Sequence, residues 1–135
     1  MRLYTFVNYY LSSIQQGIQT AHIVSEMSNY SENFPDYFEW ASCHKTIIVL
    51  NGGNNKNINE IINFLSTYDE YLSVFFDEDQ ESLGGLTTSV GIIVPEKIWS
   101  AIDSCRTEED QSWKSNLLSR DIKLVEFIAF FSLAR

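Results

Sequence analysis

The stretch from Thr46 to Gly53 constrains the fold of this chain more than any other. Thr46–Leu50 is an unbroken run of β-branched and aliphatic residues, which is typical of a strand buried on both faces of a sheet. Asn51-Gly52-Gly53 follows, where the backbone can turn through positive φ and present its amides to a ligand. Ligands of open α/β sheets bind beyond the carboxyl ends of such strands. The stretch therefore predicts a central strand with a ligand site at its end.

Strands and helices alternate along the rest of the chain. The predicted strands are Leu3–Val7, Thr46–Leu50, Tyr71–Phe76 and Leu86–Val94. The predicted helices run from Ser12 or Ser13 to about Met27, from Pro35 to about Cys43, from Ile58 (capped by Asn57) to Thr67, and from Pro95 past Ile102. This order predicts an α/β fold, a three-layer single domain with a mixed sheet of about four strands and helices on both faces.

The first helix carries apolar residues on two sides. Ile14, Ile18 and Ala21 share one face, and Ile23 and Met27 fall on the other. The preferred interpretation is a helix covered by a neighbouring element on each side. A contact between subunits is the alternative.

The domain is predicted to span residues 1–105, and residues 106–135 are predicted to form an apolar C-terminal extension. From Leu124 to Arg135 nearly every residue is apolar, so the segment needs cover on more than one side whether it is a helix or a strand. Cover by a partner chain would make the protein a homo-oligomer. An element that closes the core of its own chain is an equal alternative.

Composition limits the partners of this chain. Its net charge is -9, from 18 acidic and 9 basic residues, and the bases are scattered along the sequence. Binding to a phosphate backbone needs clustered Lys and Arg, so the composition argues against nucleic acid as a partner. Cys43 and Cys105 stand far apart, which indicates reduced, buried thiols and no disulfide or zinc site. With no secretion signal or membrane-spanning run, we expect a cytoplasmic protein without a membrane partner, metal or cofactor.

The main candidate ligand-binding residues follow the predicted open end of the sheet. Strand ends place Asn8 beside the Asn51-Gly52-Gly53 turn, and the amides at the start of the first helix form a half-positive pole suited to an anion. A single helical His is more often structural than functional, and turn chemistry alone also explains Asn and Gly in a loop. The full set is Asn8, Ser13, Gln15, Gln19, His22, Asn51, Gly52 and Gly53.

A second candidate group lies around the predicted hairpin. Asp77 and Asp79 follow one strand, and Thr87 and Thr88 begin the next. A carboxylate beside a hydroxyl can orient a nucleophile or a water molecule. A charged hairpin followed by a β-branched strand explains the same residues without any chemistry. The sequence contains no catalytic Ser-His-Asp order, metal-binding helix pair or phosphate loop ending in Gly-Lys-Ser/Thr.

Short motifs over about Met1 to Ile98 resemble the peptidyl-tRNA hydrolase II superfamily. That family has a strand, a polar loop and a helix in which Gln stands three residues before His, as Gln19 and His22 do in Gly17–His22. The His44–Leu50 strand and the Asp77–Thr88 hairpin resemble later parts of the same fold. The resemblance implies a three-layer α/β fold.

Departures from the family's pattern weigh against its activity. The family's catalytic lysine, four residues before the Gln, is replaced by Gln15, and no Lys or Arg occurs between Arg2 and Lys45. The Asp-x-Gly-x-Thr pattern and a basic tRNA-binding surface are also missing. We therefore expect a non-catalytic protein that binds a nucleotide-like or anionic small molecule. The analogy for this function is with phage-encoded relatives that sequester host signalling nucleotides. The alternative function is a hydrolase of amides or esters with a rearranged site.

Overall fold

The computed structural model describes residues 1–78, 86–107 and 110–134. Its strands are β1 Arg2–Asn8, β2 Ile47–Gly53, β3 Ser73–Asp77 and β4 Thr87–Val94, and its α-helices are α1 Ser13–Ser28, α2 Pro35–Glu39, α3 Asn55–Leu65, α4 Glu96–Thr107 and α5 Ser119–Phe130. A π-helical turn, Trp40–His44, continues α2, and a short 3-10 helix, Ser112–Asn116, precedes α5. The predicted α/β class is confirmed.

The four strands form one mixed sheet in the order β2-β1-β4-β3. β1 pairs with β2 in parallel, and β4 is antiparallel to both β1 and β3. The carboxyl ends of β1, β2 and β3 therefore lie at the same end of the sheet, together with the start of β4. The predicted mixed sheet is confirmed, and β1 and β2 end side by side, as the prediction for Asn8 and the Asn51-Gly52-Gly53 turn requires.

The prediction that Thr46–Leu50 forms a central strand is wrong, because β2 lies at an edge of the sheet. Ile47 is 39% exposed, and the central strands are β1 and β4, in which every residue except Arg2 and Thr87 is buried. The C-terminal segment covers the outer edge of β2: the N–H of Asn51 donates to the carbonyl of Ser132, and the N–H of Ala134 donates to the carbonyl of Val49, both at 2.9 Å. An aliphatic run protected by a distant segment has the same composition as a central strand.

Helices cover both faces of the sheet, which completes the predicted three layers. On one face α1 and the π-helical turn pack on Leu3 and Ile93. On the other face α3, α4 and α5 share a larger core with Tyr4 and Phe6. The residues of 106–135 that enter this core are Leu124, Val125 and Ile128, all with no exposed surface. These three residues thus belong to the core of the domain, as predicted by the alternative of an element that closes the core of its own chain.

Among the described residues, neighbouring elements cover only the Ile23 and Met27 side of α1, so the preferred prediction of cover on both sides is wrong. Ile14 and Ile18 are 78% and 48% exposed, whereas Ile23 and Met27 are fully buried. The buried side of α1 also carries polar residues, because the sheet offers polar partners there: the hydroxyls of Thr5 and Thr20 lie 3.1 Å apart. Amphipathic periodicity alone does not reveal such a polar match.

Buried phenols predict a loss of stability in alkali. Burial, followed by the nearby Asp121 carboxylate, raises the pKa of Tyr71, whose hydroxyl donates to Asp121 at 3.2 Å. Burial also raises the pKa of Tyr4 and of Tyr68. The folded state therefore favours the protonated phenols, so their contribution is complete below the ordinary tyrosine pKa of about 10 and is lost progressively above it.

We expect the melting temperature to fall between about pH 10 and pH 11, and to fall less steeply in Tyr71→Phe. Thermal unfolding followed by circular dichroism from about pH 8 upward measures this. Tyr10→Phe, at a side chain that is 73% exposed, is the control and should keep the wild-type slope. An equal slope in wild type and Tyr71→Phe would contradict the assignment.

Candidate functional site

The residues singled out in the sequence fall into two groups on opposite faces of the sheet. Gln19, His22 and Thr88 lie between α1 and the β3–β4 pair. Asn51-Gly52-Gly53 lies beside α3 and the C-terminal segment. The ligand site predicted from Gln19, His22 and Asn51-Gly52-Gly53 is therefore divided by the sheet, and Thr88 of the hairpin group lies with Gln19.

Gln19 holds the first group together through both ends of its amide. Its Nε2 donates to Oε2 of Glu78 at 2.8 Å, and its Oε1 accepts from the Thr88 hydroxyl at 2.6 Å. The Gln19 side chain is only 3% exposed. His22 stacks on the ring of Phe76, with centroids 4.2 Å apart and planes 8° apart. These polar and aromatic groups fasten α1 to the strands.

The hairpin carboxylate has a structural partner as well. The hydroxyl of Thr87 donates to Oδ1 of Asp77, which links the ends of β3 and β4 across the pair. Asp79 lies outside the described residues. With Asp77 and Glu78 as its carboxylates, this corner of the molecule is acidic and is a poor place for an anionic ligand.

Turn and cap contacts occupy the candidates near the start of α1. Oδ1 of Asn8 accepts from the N–H of Tyr10 at 3.0 Å. Ser12 is the N-cap of α1, and Gln15 completes a reciprocal capping box with it. Ser13 is the exposed first residue of the helix. Asn8, Ser13 and Gln15 thus shape the local backbone.

The Asn51-Gly52-Gly53 group lies where the sequence predicted, at the ends of β1 and β2. Asn8 pairs with Gly53, and the carbonyl of Gly53 accepts from the N–H of Tyr9 at 3.0 Å. Gly53 has a φ of 83°, as the turn prediction requires of a glycine. Gly52 is glycine for another reason: a Cβ there would lie 2.5 Å from Cδ1 of Ile58.

Asparagine side chains organise the turn that follows. Oδ1 of Asn51 accepts from the N–H of Gly53 at 2.9 Å. Asn54, and not the predicted Asn57, caps α3, and Asn57 is its reciprocal partner at the third helical position. The predicted helix start was three residues late because an asparagine suits both positions of such a capping box.

A pocket of about 480 Å³ opens beside this second group. The turn and α3 form one wall with Gly53, Asn57 and Glu60, and the end of α5 forms the other with Phe127 and Phe130. The ring of Phe130 is 85% exposed. We name this cavity the β2 pocket.

Sequence reasoning found the glycines of the β2 pocket but missed its other wall. The wall exists because residues 132–134 pair with β2 and bring the end of α5 against the turn. Asn57 and Glu60 are three residues apart on α3 and so share a helical face, which was the one local signal available.

The chemistry of the β2 pocket is aromatic and polar. Among its lining residues in the described part of the chain, Glu60 is the only charged one. Oδ1 of Asn57 accepts from the N–H of Asn54 at 3.0 Å, so its NH2 group is the donor that this side chain can offer a ligand. The pocket thus combines ring faces, a carboxylate acceptor and an amide donor.

No protein-family model and no curated protein matches this chain. Within residues 1–78, 86–107 and 110–134, no helix is long and apolar enough to cross a membrane. The same residues contain no grouping of three or more His, Cys, Asp or Glu side chains that could hold a metal ion.

Cys43 and Cys105 are both free thiols, but Cys43 is exposed at the end of the π-helical turn, so the prediction that both are buried is wrong.

Proposed function

We propose that this protein binds a small nucleotide-like molecule in the β2 pocket and does not transform it. The observation that carries the proposal is that the exposed ring of Phe130 and the polar Asn51-Gly52-Gly53 turn line the same cavity of about 480 Å³. Sites for small organic ligands enclose about 300–1,000 Å³ and combine apolar walls with a few polar groups. The β2 pocket has this size and this composition.

The two walls of the pocket suit the two parts of a nucleoside. A planar base can stack on Phe130, a contact worth about 1–3 kcal/mol when an aromatic side chain is removed. The Glu60 carboxylate can accept hydrogen bonds from ribose hydroxyls, as acidic residues do in dinucleotide-binding folds. The Asn57 amide can donate to a ring nitrogen or a carbonyl of the base.

Charge decides which part of the ligand carries the affinity. With Glu60 as the charged group on the lining and a net charge of -9, the base and sugar bind inside while phosphate groups face the solvent. The anionic part of the expected ligand thus contributes little. A nucleoside and its monophosphate should bind with affinities within about tenfold of each other.

The polar candidate residues outside the β2 pocket are engaged in structural contacts, which argues for binding without turnover. Gln15 is engaged in the cap of α1, and Gln19 and Thr88 hydrogen-bond to each other at a buried site. These contacts favour binding over the hydrolase alternative. From binding without turnover we infer a sequestering role. The analogy is with the phage-encoded proteins that the resemblance to the peptidyl-tRNA hydrolase II superfamily brought in.

Removing the Phe130 ring should weaken binding with little effect on folding. We expect Phe130→Ala to reduce the affinity for the preferred nucleoside by about tenfold or more, and Glu60→Gln to reduce it by about threefold to tenfold. Calorimetric titration of adenosine, guanosine, cytidine and uridine, and of their monophosphates, measures both. Tyr10→Ala removes another exposed ring, outside the β2 pocket, and should leave the affinity unchanged.

Two results would count against this function. If none of the nucleosides binds at millimolar concentration, or if Phe130→Ala binds as wild type does while remaining folded, the pocket does not hold such a ligand. Conversion of a bound nucleotide to product, followed by chromatography, would contradict the non-catalytic part of the proposal.

A further inference from the structure

We propose that the outer edge of β3 binds an extended, basic peptide segment as a fifth strand of the sheet. In the described part of the chain, β3 pairs with β4 on one side and with no strand on the other. A groove of about 720 Å³ runs along this free edge. We call it the β3 groove. This proposal is independent of the nucleotide site, which lies at the opposite edge of the sheet.

Backbone groups of β3 are available to such a strand. The N–H of Ile93 donates to the carbonyl of Leu72 at 3.0 Å, so Leu72 is in a hydrogen-bonded position against the neighbouring strand. Hydrogen-bonded and non-hydrogen-bonded positions alternate in antiparallel pairs. Ser73 and Phe75 are therefore non-hydrogen-bonded toward β4, and their N–H and C=O groups point to the free edge. An added strand would use these donors and acceptors.

Each wall of the β3 groove combines an aromatic ring with a carboxylate. On the α1 side these are Tyr30, which is 47% exposed, and Glu26. On the α3 side they are Phe75, which is 50% exposed, and Asp69. A Lys or Arg side chain can lay its stem and charge along such a ring while its head pairs with the carboxylate. Alternate residues of an added strand face the two walls in turn, so both walls favour basic residues.

The charge of the β3 groove selects among possible occupants. Its lining includes the carboxylates of Glu26, Asp69 and Asp77 and no Lys, Arg or His in the described part of the chain. A second copy of this protein would bring a net charge of -9 and the same carboxylates to the contact. Like charges brought together across an interface are unfavourable, so a basic segment of another protein is the occupant that we infer.

A labelled peptide with two adjacent Arg residues, one for each wall, tests the proposal directly. The probe is fluorescein-labelled Thr-Val-Arg-Arg-Thr-Val with blocked ends, compared by anisotropy with the same peptide carrying Glu for Arg and with an N-methylated backbone version. We expect the Arg peptide to bind, and both others to bind at least about tenfold more weakly. The N-methylated peptide tests the strand hydrogen bonds without any change to the protein.

Protein variants test the same edge from the other side. Ser73→Pro removes an outward N–H at the first residue of an edge strand, where proline is tolerated, and should weaken binding of the Arg peptide by about tenfold or more. Ser73→Ala keeps that N–H and should bind as wild type does. Asp69→Asn and Glu26→Gln should each cost about threefold to tenfold and reduce the dependence of binding on salt.

The proposal is overturned if the Arg peptide does not bind at millimolar concentration. It is also overturned if the Glu peptide or the N-methylated peptide binds as tightly as the Arg peptide does. Sedimentation of wild type and Ser73→Pro adds a further arm: a dimer that is lost in Ser73→Pro would identify a second copy as the occupant and refute the basic peptide.

Discussion

Replacing Ile128 with alanine is expected to lower the free energy of unfolding by about 2–5 kcal/mol, because the change opens a cavity in the main core. Ile128 has no exposed surface and packs in the same core as Tyr4, Phe6 and α3. Urea unfolding followed by tryptophan fluorescence measures the change. Phe130→Ala, two residues later on the same helix, removes a ring that is 85% exposed and should shift the free energy by less than about 0.5 kcal/mol.

This comparison also tests how the C-terminal stretch takes part in folding. If residues 106–135 were an appendage that folds only against a partner chain, Ile128→Ala would leave the urea midpoint of the domain unchanged. The packing of Leu124, Val125 and Ile128 against the sheet predicts the opposite. Whether a second chain covers the exposed Phe130 is a separate question, which light scattering of wild type and Phe130→Asp would test.

Replacing Gly52 with valine should also destabilise the fold strongly. A Cβ at this position would lie 2.5 Å from Cδ1 of Ile58 and 3.2 Å from the backbone carbon of Phe6, and both neighbours are fully buried. Overpacking of this kind costs about 1–3 kcal/mol, and the further methyl groups of valine add to it. We expect a lower melting temperature for Gly52→Val, with Gly52→Ala intermediate between it and wild type.

Gly17 provides the matched control for a glycine without such neighbours. Apart from its chain neighbours and the backbone of its own helix, no heavy atom lies within 4 Å of a Cβ built at Gly17, which is in the second turn of α1. Gly17→Ala should therefore stabilise the protein by about 0.5–1 kcal/mol through the lower backbone entropy of its unfolded chain. Changes of the same sign at both glycines would contradict the packing argument. Because Gly52 is a packing position, loss of ligand binding in Gly52→Val would not by itself locate a ligand.

Local patterns predicted the elements of this fold well because their causes are local. Ser12 caps α1 through a side chain three residues from its partner, and Pro35 starts α2 at a position where no N–H is needed. The order of strands and helices then limited the architecture to a layered α/β domain, which the structure confirms.

The location of β2 could not be predicted from its own residues. A short aliphatic run has the same composition whether it is central or is an edge strand protected by another segment. Protection of β2 comes from residues 132–134, about eighty positions later in the chain. Cover on both sides of α1 was predicted wrongly for a related reason, since the buried side is held partly by a polar contact between Thr5 and Thr20 that hydrophobic periodicity does not register.

The candidate site was predicted in part for the same physical reasons. The parallel pairing of β1 and β2 brings Asn8 to Gly53, as strand ends alone suggested. Gln19 and His22 were assigned to the same place, but the sheet separates them from it, because which face a helix covers depends on the connections between strands. Phe130 and Glu60 come together only through the tertiary fold.

The two edges of the sheet differ in a way that bears on aggregation. Hydrogen bonds from Asn51 and Ala134 close the β2 edge with the chain's own backbone, whereas the β3 edge is open in the described part of the chain. Growth of a fibril by edge-to-edge pairing needs two open edges on every molecule. Pairing of two molecules through β3 would leave only their β2 edges, which residues 132–134 cover at Val49 and Asn51. We therefore expect this short segment to limit edge-to-edge growth.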